Sequence, residues 1–260
     1  MDVTSPYDAV ASGFERQRPM PESVPQSVRT AVLSALGRSD RPSILDWGAG
    51  TGRFGRPFVA AGDDYVGLDL SAGMLHVFAE RFVGQRPALV QADGRALPFP
   101  SSGFDLVLLI SVLGNLTDWR SAVGEARRVI RPSGTIAVGR MALPDDGIDG
   151  CLKQHLDTLL DERMLGQPRR NGRQRAAEHL AASASAMTEL VPASWVAERS
   201  PRQFLDRHAS GARFSQLPSA VRVDVLSALA TWAKMRFGSL DATFSEVHRF
   251  EMQLFRFEER

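Results

Sequence analysis

The chain has 260 residues, of which 43% are hydrophobic and 23% charged, with a formal net charge of +1. This size and composition suffice for one full core, and the near-neutral charge argues against electrostatic binding of nucleic acid. The single cysteine, Cys151, excludes an internal disulfide and a multi-cysteine zinc site. Since we find neither a signal-peptide pattern nor a membrane-spanning run, we predict a cytoplasmic protein without metal, nucleic-acid partner or membrane association.

The first half of the chain alternates between strand and helix patterns. Strands are predicted at 43–47, 64–70, 88–91, 104–110 and 135–141, and helices at 7–14, before Gly37, up to about Ala61, after Ser71 and at 119–130. The run at 104–110 is almost wholly apolar, which is typical of a strand covered on both faces. This alternation predicts an α/β fold with a doubly wound, mostly parallel sheet.

The pattern changes after Met141. Residues 142–188 combine an amphipathic stripe, an arginine-rich loop at 166–175 and a second helical stretch, which predicts a cap over the ligand side. Further strands are predicted at 189–198 and 247–257, with helices at 201–208 and 218–237 between them. We therefore predict one overall domain with a Rossmann-like, seven-stranded sheet, divided into a cofactor-binding core, a helical cap insertion and a completion of the sheet edge; the three parts are 1–141, 142–188 and 189–260.

A glycine-rich stretch follows the first predicted strand. The sequence Asp46-Trp47-Gly48-Ala49-Gly50-Thr51-Gly52 predicts a strand end, a tight turn and a helix start, which together form a ligand-binding corner. Two chemistries use such a corner. Gly50, Gly52 and Gly55 satisfy the dinucleotide fingerprint of nucleotide-dependent reductases. The glycines at 48, 50 and 52, preceded by Asp46, instead resemble the first motif of class I S-adenosylmethionine-dependent methyltransferases.

Two later blocks favour the second chemistry. Residues 91–105, with Asp93-Gly94 followed by Leu97-Pro98-Phe99, resemble the methyltransferase block that receives adenine, and residues 128–135 resemble the family's lead into strand five. Together they make the sequence similar to class I methyltransferases of the small-molecule, type 11 group, over about residues 7–141. The resemblance implies S-adenosylmethionine as the cofactor.

The resemblance also implies a role for each matching residue. Asp46 would organise the glycine turn, Asp69 would bind the ribose hydroxyls, and Asp93 with the Gly94 N–H would bind the adenine edge. Leu70 and Met74 would cover an adenine face, while Ser111 would lie near the sulfonium. Tyr7 and Arg18 resemble residues that close over the cofactor carboxylate. The implied cofactor-binding set is Tyr7, Arg18, Asp46, Gly48, Ala49, Gly50, Gly52, Asp69, Leu70, Met74, Asp93, Gly94 and Ser111.

The sequence departs from the family after the fourth strand. Relatives often carry a histidine facing the acceptor there, whereas this chain has Ser111-Val112-Leu113-Gly114-Asn115-Leu116. Candidate catalytic residues are therefore His155, in the predicted cap, as a base and Asn115 as an orienting hydrogen-bond donor. We predict methyl transfer to an oxygen or nitrogen of an apolar or aromatic small molecule, mainly by proximity and alignment. A non-catalytic S-adenosylmethionine-binding sensor or partner subunit is the alternative, and the oligomeric state stays open, a homodimer among the options.

Overall fold

The computed structural model describes residues 5–37, 41–82, 86–116, 118–163, 172–211, 214 and 216–258. The strands are β1 (Ser43–Trp47), β2 (Asp64–Asp69), β3 (Ala88–Gln91), β4 (Phe104–Ile110), β5 (Ile130–Ala142), β6 (Ala186–Arg199) and β7 (Phe244–Arg256). The α-helices are α1 (Ser23–Leu36), α2 (Arg56–Ala60), α3 (Ala72–Ala79), α4 (Trp119–Val129), α5 (Ile148–Arg163), α6 (Gly172–Ser183), α7 (Pro201–Ala209) and α8 (Ser219–Phe237). Short 3-10 helices cover Asp8–Gly13 and Leu113–Asn115.

The seven strands form one sheet in the order β3-β2-β1-β4-β5-β7-β6. The first five are parallel, and β7 is antiparallel to both β5 and β6. The predicted doubly wound, mostly parallel sheet is confirmed. Because the carboxyl ends of parallel strands share one edge, the residues that follow β1, β2 and β4 meet there, at the usual ligand-binding edge of such sheets.

Strand β4 lies at the centre of the core. All seven of its residues are buried. Val107 and Leu109 pack on the face covered by α4 and α6, while Leu106 and Leu108 pack on the face covered by α1, α2 and α3. Successive side chains of a strand point to opposite faces, so a strand covered on both faces has the continuous apolar run seen in the sequence.

Two sequence predictions about secondary structure are wrong. The turn expected at 131–134 lies inside β5, because Ile130 pairs with Phe104 before a register shift and the strand then continues from Thr135. Arg173 and Arg175, expected in a loop, lie on α6, whose Ala176 and Leu180 are completely buried. Burial of these two apolar side chains stabilises the helix regardless of the arginines in its first turn. The other two arginines of the expected loop, Arg169 and Arg170, fall outside the described residues.

Helices α5, α7 and α8 pack together and form what we call the three-helix cluster. Its own core includes Leu152, Leu156, Phe204, Val225 and Leu229. The helix that opens the predicted cap thus shares a core with helices from beyond residue 188, and the division into three parts stays a prediction. Among the described residues, no helix is both long and apolar enough to cross a membrane.

Candidate functional site

The glycine turn, residues 48–52, leaves β1 with a left-handed backbone. The φ angles of Gly48, Gly50 and Gly52 are 83°, 55° and 78°, a region that residues with a Cβ rarely adopt. The N–H groups of Gly48 and Ala49 donate to the Leu68 carbonyl at 2.7 and 3.0 Å, which fixes the turn on the end of β2. A Cβ on Gly50 would meet only the Gly48 carbonyl, at 3.9 Å. The face of the turn at Gly50 is therefore open for close approach of a ligand.

Asp69 lies at the end of β2, beside the glycine turn. Its Oδ2 accepts the Gly50 N–H and its Oδ1 accepts the Ser71 N–H, both at 2.9 Å. Burial raises the pKa of this carboxyl, while the backbone hydrogen bonds oppose the shift. Each carboxylate oxygen accepts more than one hydrogen bond, so Asp69 can hold the turn and still receive the hydroxyls of a ribose.

Asp46 occupies the buried interior below the turn. Only 2% of its surface is exposed, and its Oδ2 accepts the Tyr65 hydroxyl at 2.8 Å. Burial raises the pKa of Asp46 to about 7, which the Tyr65 hydrogen bond opposes and the nearby charge of Asp69 reinforces. Tyr65 is thus its side-chain hydrogen-bond partner, and the implied organising role of Asp46 in the turn stays a prediction.

We expect Asp46→Asn to remove part of the pH dependence of stability. The unfolded carboxyl loses its proton near pH ~4, whereas the folded one keeps its proton up to about 7. The folded state therefore binds more protons between these values, and wild-type stability falls as pH rises. An asparagine does not titrate, so its free energy of unfolding should rise relative to wild type by about 2 kcal/mol from about pH 5 to about pH 6.5.

Urea unfolding at several pH values measures this difference. The matched control is Asp64→Asn, which changes an exposed aspartate at the start of the neighbouring strand, β2. If the difference in the free energy of unfolding between Asp46→Asn and wild type stays constant with pH, the buried carboxyl ionises like an exposed one.

The predicted adenine-binding residues have partners that the sequence did not reveal. Both Asp93 carboxylate oxygens bind the Arg95 guanidinium, with the shortest contact at 2.6 Å, and this ion pair lowers the pKa of Asp93. Gly94 packs on the indole of Trp47, where an added Cβ would lie 1.9 Å from Nε1. Only glycine fits at 94. For Asp93 to bind an adenine amine as predicted, the carboxylate must share its oxygens between Arg95 and the ligand.

Residues 5–22, which we call the N-terminal segment, lie over the site. Asp8 Oδ1 accepts the Ser71 hydroxyl at 2.6 Å and the Gly73 N–H at 2.9 Å, at the start of α3. Further along, the Arg18 guanidinium lies 4.1 Å from the centre of the Phe14 ring, and Tyr7 contacts the edge of the same ring. Tyr7 and Arg18 thus contact the same ring, and their implied role at the cofactor stays a prediction.

Glu15 attaches the N-terminal segment to the glycine turn. It accepts the Thr51 hydroxyl at 2.7 Å and pairs with Arg56 at 3.1 Å. In the same region, Arg53 Nη1 donates to the Arg18 carbonyl at 2.7 Å. The sequence analysis missed Asp8 and Glu15, because nothing local marks an acid whose partners lie more than 35 residues away.

The remaining predicted cofactor residues surround the same corner. Leu70 is half-buried after β2, and Met74 is buried on α3, where its N–H donates to the Ser71 hydroxyl. Ser111 is exposed after β4 with a left-handed φ of 58°. The next residue, Val112, lies so near Gly48 that an added Cβ there would be 2.9 Å from it. The end of β4 therefore forms a wall beside the turn.

Of the two predicted catalytic residues, His155 lies apart from this corner, and the side chain of Asn115 lies outside the described residues. His155 stacks on Trp232 with ring centres 4.2 Å apart. The two rings line a cavity of 260 Å³ on the three-helix cluster, together with Cys151, Gln154, Thr158 and Arg236, and no predicted cofactor residue lines it. Asn115 belongs to a 3-10 helix after β4, but its side chain lies outside the described residues. Both catalytic roles stay predictions.

Comparisons with known proteins agree with this geometry. Residues 45–138 match the family model of a methyltransferase domain. Demethylmenaquinone methyltransferase of Renibacterium salmoninarum is 36% identical over 121 residues, 46% of this chain and 49% of the relative. The Clavibacter sepedonicus enzyme of the same name is 33% identical over 144 residues, 55% of this chain and 59% of the relative. A ubiquinone/menaquinone biosynthesis C-methyltransferase of Hahella chejuensis is 30% identical over 154 residues, 56% of this chain and 62% of the relative. The chain thus spans about half to three-fifths of these relatives.

Solved structures show the same fold. YcgJ of Bacillus subtilis has a TM-score of 0.60 at 19% identity, covering 90% of this chain and 99% of its own. Phosphoethanolamine N-methyltransferase 2 of Haemonchus contortus, solved with S-adenosylhomocysteine, has a TM-score of 0.50 at 17% identity, covering 90% of this chain and 52% of its own. Residues 45–138 thus match a methyltransferase domain, and the comparisons support the predicted class I, S-adenosylmethionine-dependent methyltransferase of the small-molecule group.

Proposed function

We propose that the protein transfers the methyl group of S-adenosylmethionine to an apolar small molecule. The observation that carries the proposal is the contact between the glycine turn and Asp69, whose carboxylate accepts the Gly50 N–H. This pair lies at the carboxyl edge of the sheet, within the matched domain, and the turn is open to a ligand at Gly50. A left-handed glycine without a covering side chain, as at Gly50, fits a cofactor that must approach the backbone closely. The protein would act on a small-molecule acceptor in the cytoplasm.

In this proposal the side chains bind and align rather than react. S-adenosylmethionine supplies a methyl group that is already activated. Asp69 binds the ribose hydroxyls, and Asp93 with the Gly94 N–H binds the adenine edge. Tyr7 and Arg18 cover the methionine end and help to exclude water. Alignment of two reactants can contribute about 7–11 kcal/mol, while a general base typically adds ~10²–10⁴-fold. Methyl transfer can therefore proceed without the histidine that is missing after β4.

The test is a methyl-transfer assay with methyl-labelled S-adenosylmethionine and purified protein. Demethylmenaquinone is the first acceptor, because curated relatives are named for it, followed by a panel of apolar phenols and amines. We expect labelled product that requires the protein and is absent with Asp69→Ala. Product analysis also decides the acceptor atom: the sequence predicts oxygen or nitrogen, whereas the Hahella relative is named a C-methyltransferase. Tight cofactor binding without transfer to any acceptor would instead support the non-catalytic alternative.

A further inference from the structure

Three arginines from different parts of the chain meet beside the N-terminal segment. Arg199 ends β6, Arg207 lies on α7, and Arg18 belongs to the N-terminal segment. The side chains of Arg199 and Arg207 are only 6% and 13% exposed. Arg199 Nη2 is 3.5 Å from the carbonyl of Pro19, the residue after Arg18. Arg199 and Arg207, which share Asp149, thus lie beside the backbone that follows Arg18, at the junction between the N-terminal segment and the three-helix cluster.

The charges of these arginines act on one another. Burial lowers the pKa of Arg18 to about 10, and the next largest cause is the charge of Arg207. Burial also lowers the pKa of Arg199, again with a contribution from Arg207. Like charges held near one another out of water are unfavourable unless an anion neutralises them.

The acids nearby are too few to neutralise all three. Asp149, completely buried at the start of α5, lies 3.0 Å from Arg207 and 3.6 Å from Arg199. Glu246 lies 2.5 Å from His248 and also accepts backbone N–H groups at the start of α5. Within the described part of the chain, no ion pair joins Arg18 to an acidic side chain. Two carboxylates therefore face three guanidiniums, which leaves one positive charge in excess.

A metal ion would fit this cluster less well. Asp149, Glu246 and His248 each offer a ligand atom within 4.8 Å of the others, and each has a buried polar atom without a hydrogen-bond partner. However, two guanidiniums already balance the two carboxylates. A divalent cation would add two positive charges to a region that already has one in excess, which a buried site tolerates poorly.

We propose that Arg207 joins Arg18 in binding the carboxylate of the methionine end of S-adenosylmethionine. The inference rests on the proposed function and extends its cofactor site to a residue of the three-helix cluster. A hydrogen bond of Arg53 indicates where this carboxylate site lies. Arg53 comes directly after the glycine turn and donates to the Arg18 carbonyl at 2.7 Å. Arg18 is thereby held next to the turn, and Arg207 approaches from α7. A bidentate guanidinium suits a planar carboxylate, and the bound anion would hold α7 against the N-terminal segment.

Two ligands that differ at the relevant group test the inference. S-adenosylhomocysteine carries the methionine-type carboxylate, whereas 5′-methylthioadenosine keeps the adenine and ribose but lacks it. In calorimetric titrations we expect Arg207→Gln to weaken the binding of S-adenosylhomocysteine roughly tenfold to a hundredfold. The affinity for 5′-methylthioadenosine should stay unchanged. Arg202→Gln, on the same helix but in an exposed pair with Asp241, is the matched control and should change neither affinity.

Each other outcome has a definite meaning. Equal losses for both ligands, or no loss for either, would overturn the inference by assigning Arg207 a structural role or none. An unchanged S-adenosylhomocysteine affinity with a raised KM for an acidic acceptor would overturn it by assigning the carboxylate to the acceptor. If the wild type binds neither ligand, the proposed function itself fails.

A second measurement needs no variant and covers the case in which Arg207→Gln does not fold. Backbone hydrogen exchange in α7 reports whether the helix is held by the ligand. We expect S-adenosylhomocysteine to slow exchange in α7 of the wild type by at least a few-fold more than 5′-methylthioadenosine does, at equal saturation. Equal protection by the two ligands would overturn the inference.

Discussion

Asp69→Ala is expected to weaken S-adenosylmethionine binding by about a hundredfold or more. Hydrogen bonds to a charged group contribute about 1.5–3 kcal/mol each, and in our proposal the carboxylate receives two ribose hydroxyls. The variant also releases the Gly50 and Ser71 N–H groups that the carboxylate holds at 2.9 Å. The turn therefore loses part of its support together with the ligand contact. Calorimetric titration with S-adenosylmethionine measures the loss.

Two further variants separate contact from folding. Asp64→Ala removes the same side chain from the exposed, opposite end of β2 and should bind like the wild type. Asp69→Asn keeps the shape and one acceptor oxygen, so we expect an intermediate loss of roughly tenfold. Thermal unfolding of each variant shows whether the fold persists. If Asp69→Ala binds S-adenosylmethionine with an affinity within threefold of the wild type, Asp69 does not bind the ribose hydroxyls.

Gly52→Ala is expected to lower the free energy of unfolding by about 2–5 kcal/mol. A left-handed backbone costs a residue with a Cβ about 1–2 kcal/mol, and the φ of Gly52 is 78°. In addition, the new Cβ would lie 2.1 Å from the ring of Phe78, which is completely buried and cannot move aside. Forcing an extra carbon into a packed core typically costs about 1–3 kcal/mol more. Thermal unfolding should show a decrease in Tm of on the order of 10 °C.

Gly62→Ala is the matched control, because it separates backbone strain from steric overlap. Gly62 has a φ of 71°, close to that of Gly52, yet an added Cβ meets nothing within 4 Å. We expect Gly62→Ala to lower the free energy of unfolding by the backbone strain alone, about 1–2 kcal/mol. If the two variants unfold at the same temperature, steric overlap with Phe78 does not destabilise Gly52→Ala, contrary to what the structure indicates.

Much of the cofactor corner could be predicted because its signals are local. The strand bounds of β1, β3 and β4 agree with the sequence analysis, since each apolar run ends at turn-forming residues. The helix predicted after Ser71 is also confirmed, and Ser71 caps it: the Ser71 hydroxyl accepts the Met74 N–H at 3.1 Å, three residues away. Such contacts depend on neighbours in the chain, and the residue types alone indicate them.

The features that could not be predicted depend on contacts between distant residues. Asp8 binds Gly73 across 65 residues, and Arg207 binds Asp149 across 58. Arg95, two residues from Asp93, could have been suspected as its partner, but many neighbouring opposite charges do not pair in this way. Likewise, nothing in the sequence distinguishes Gly94 as a glycine required by Trp47 rather than by a turn. Side-chain direction and packing decide these cases.

The position of β7 has a consequence for how the chain folds as it is synthesised. β7 follows β6 in the sequence, yet it lies between β5 and β6 and pairs with both. Until residues 244–256 have left the ribosome, β5 keeps an unpaired edge and β6 has no neighbour in the sheet. An open strand edge is where nascent chains pair wrongly and aggregate. We therefore expect chains truncated before β7 to depend on chaperones, whereas chains extended through it should complete the sheet unaided.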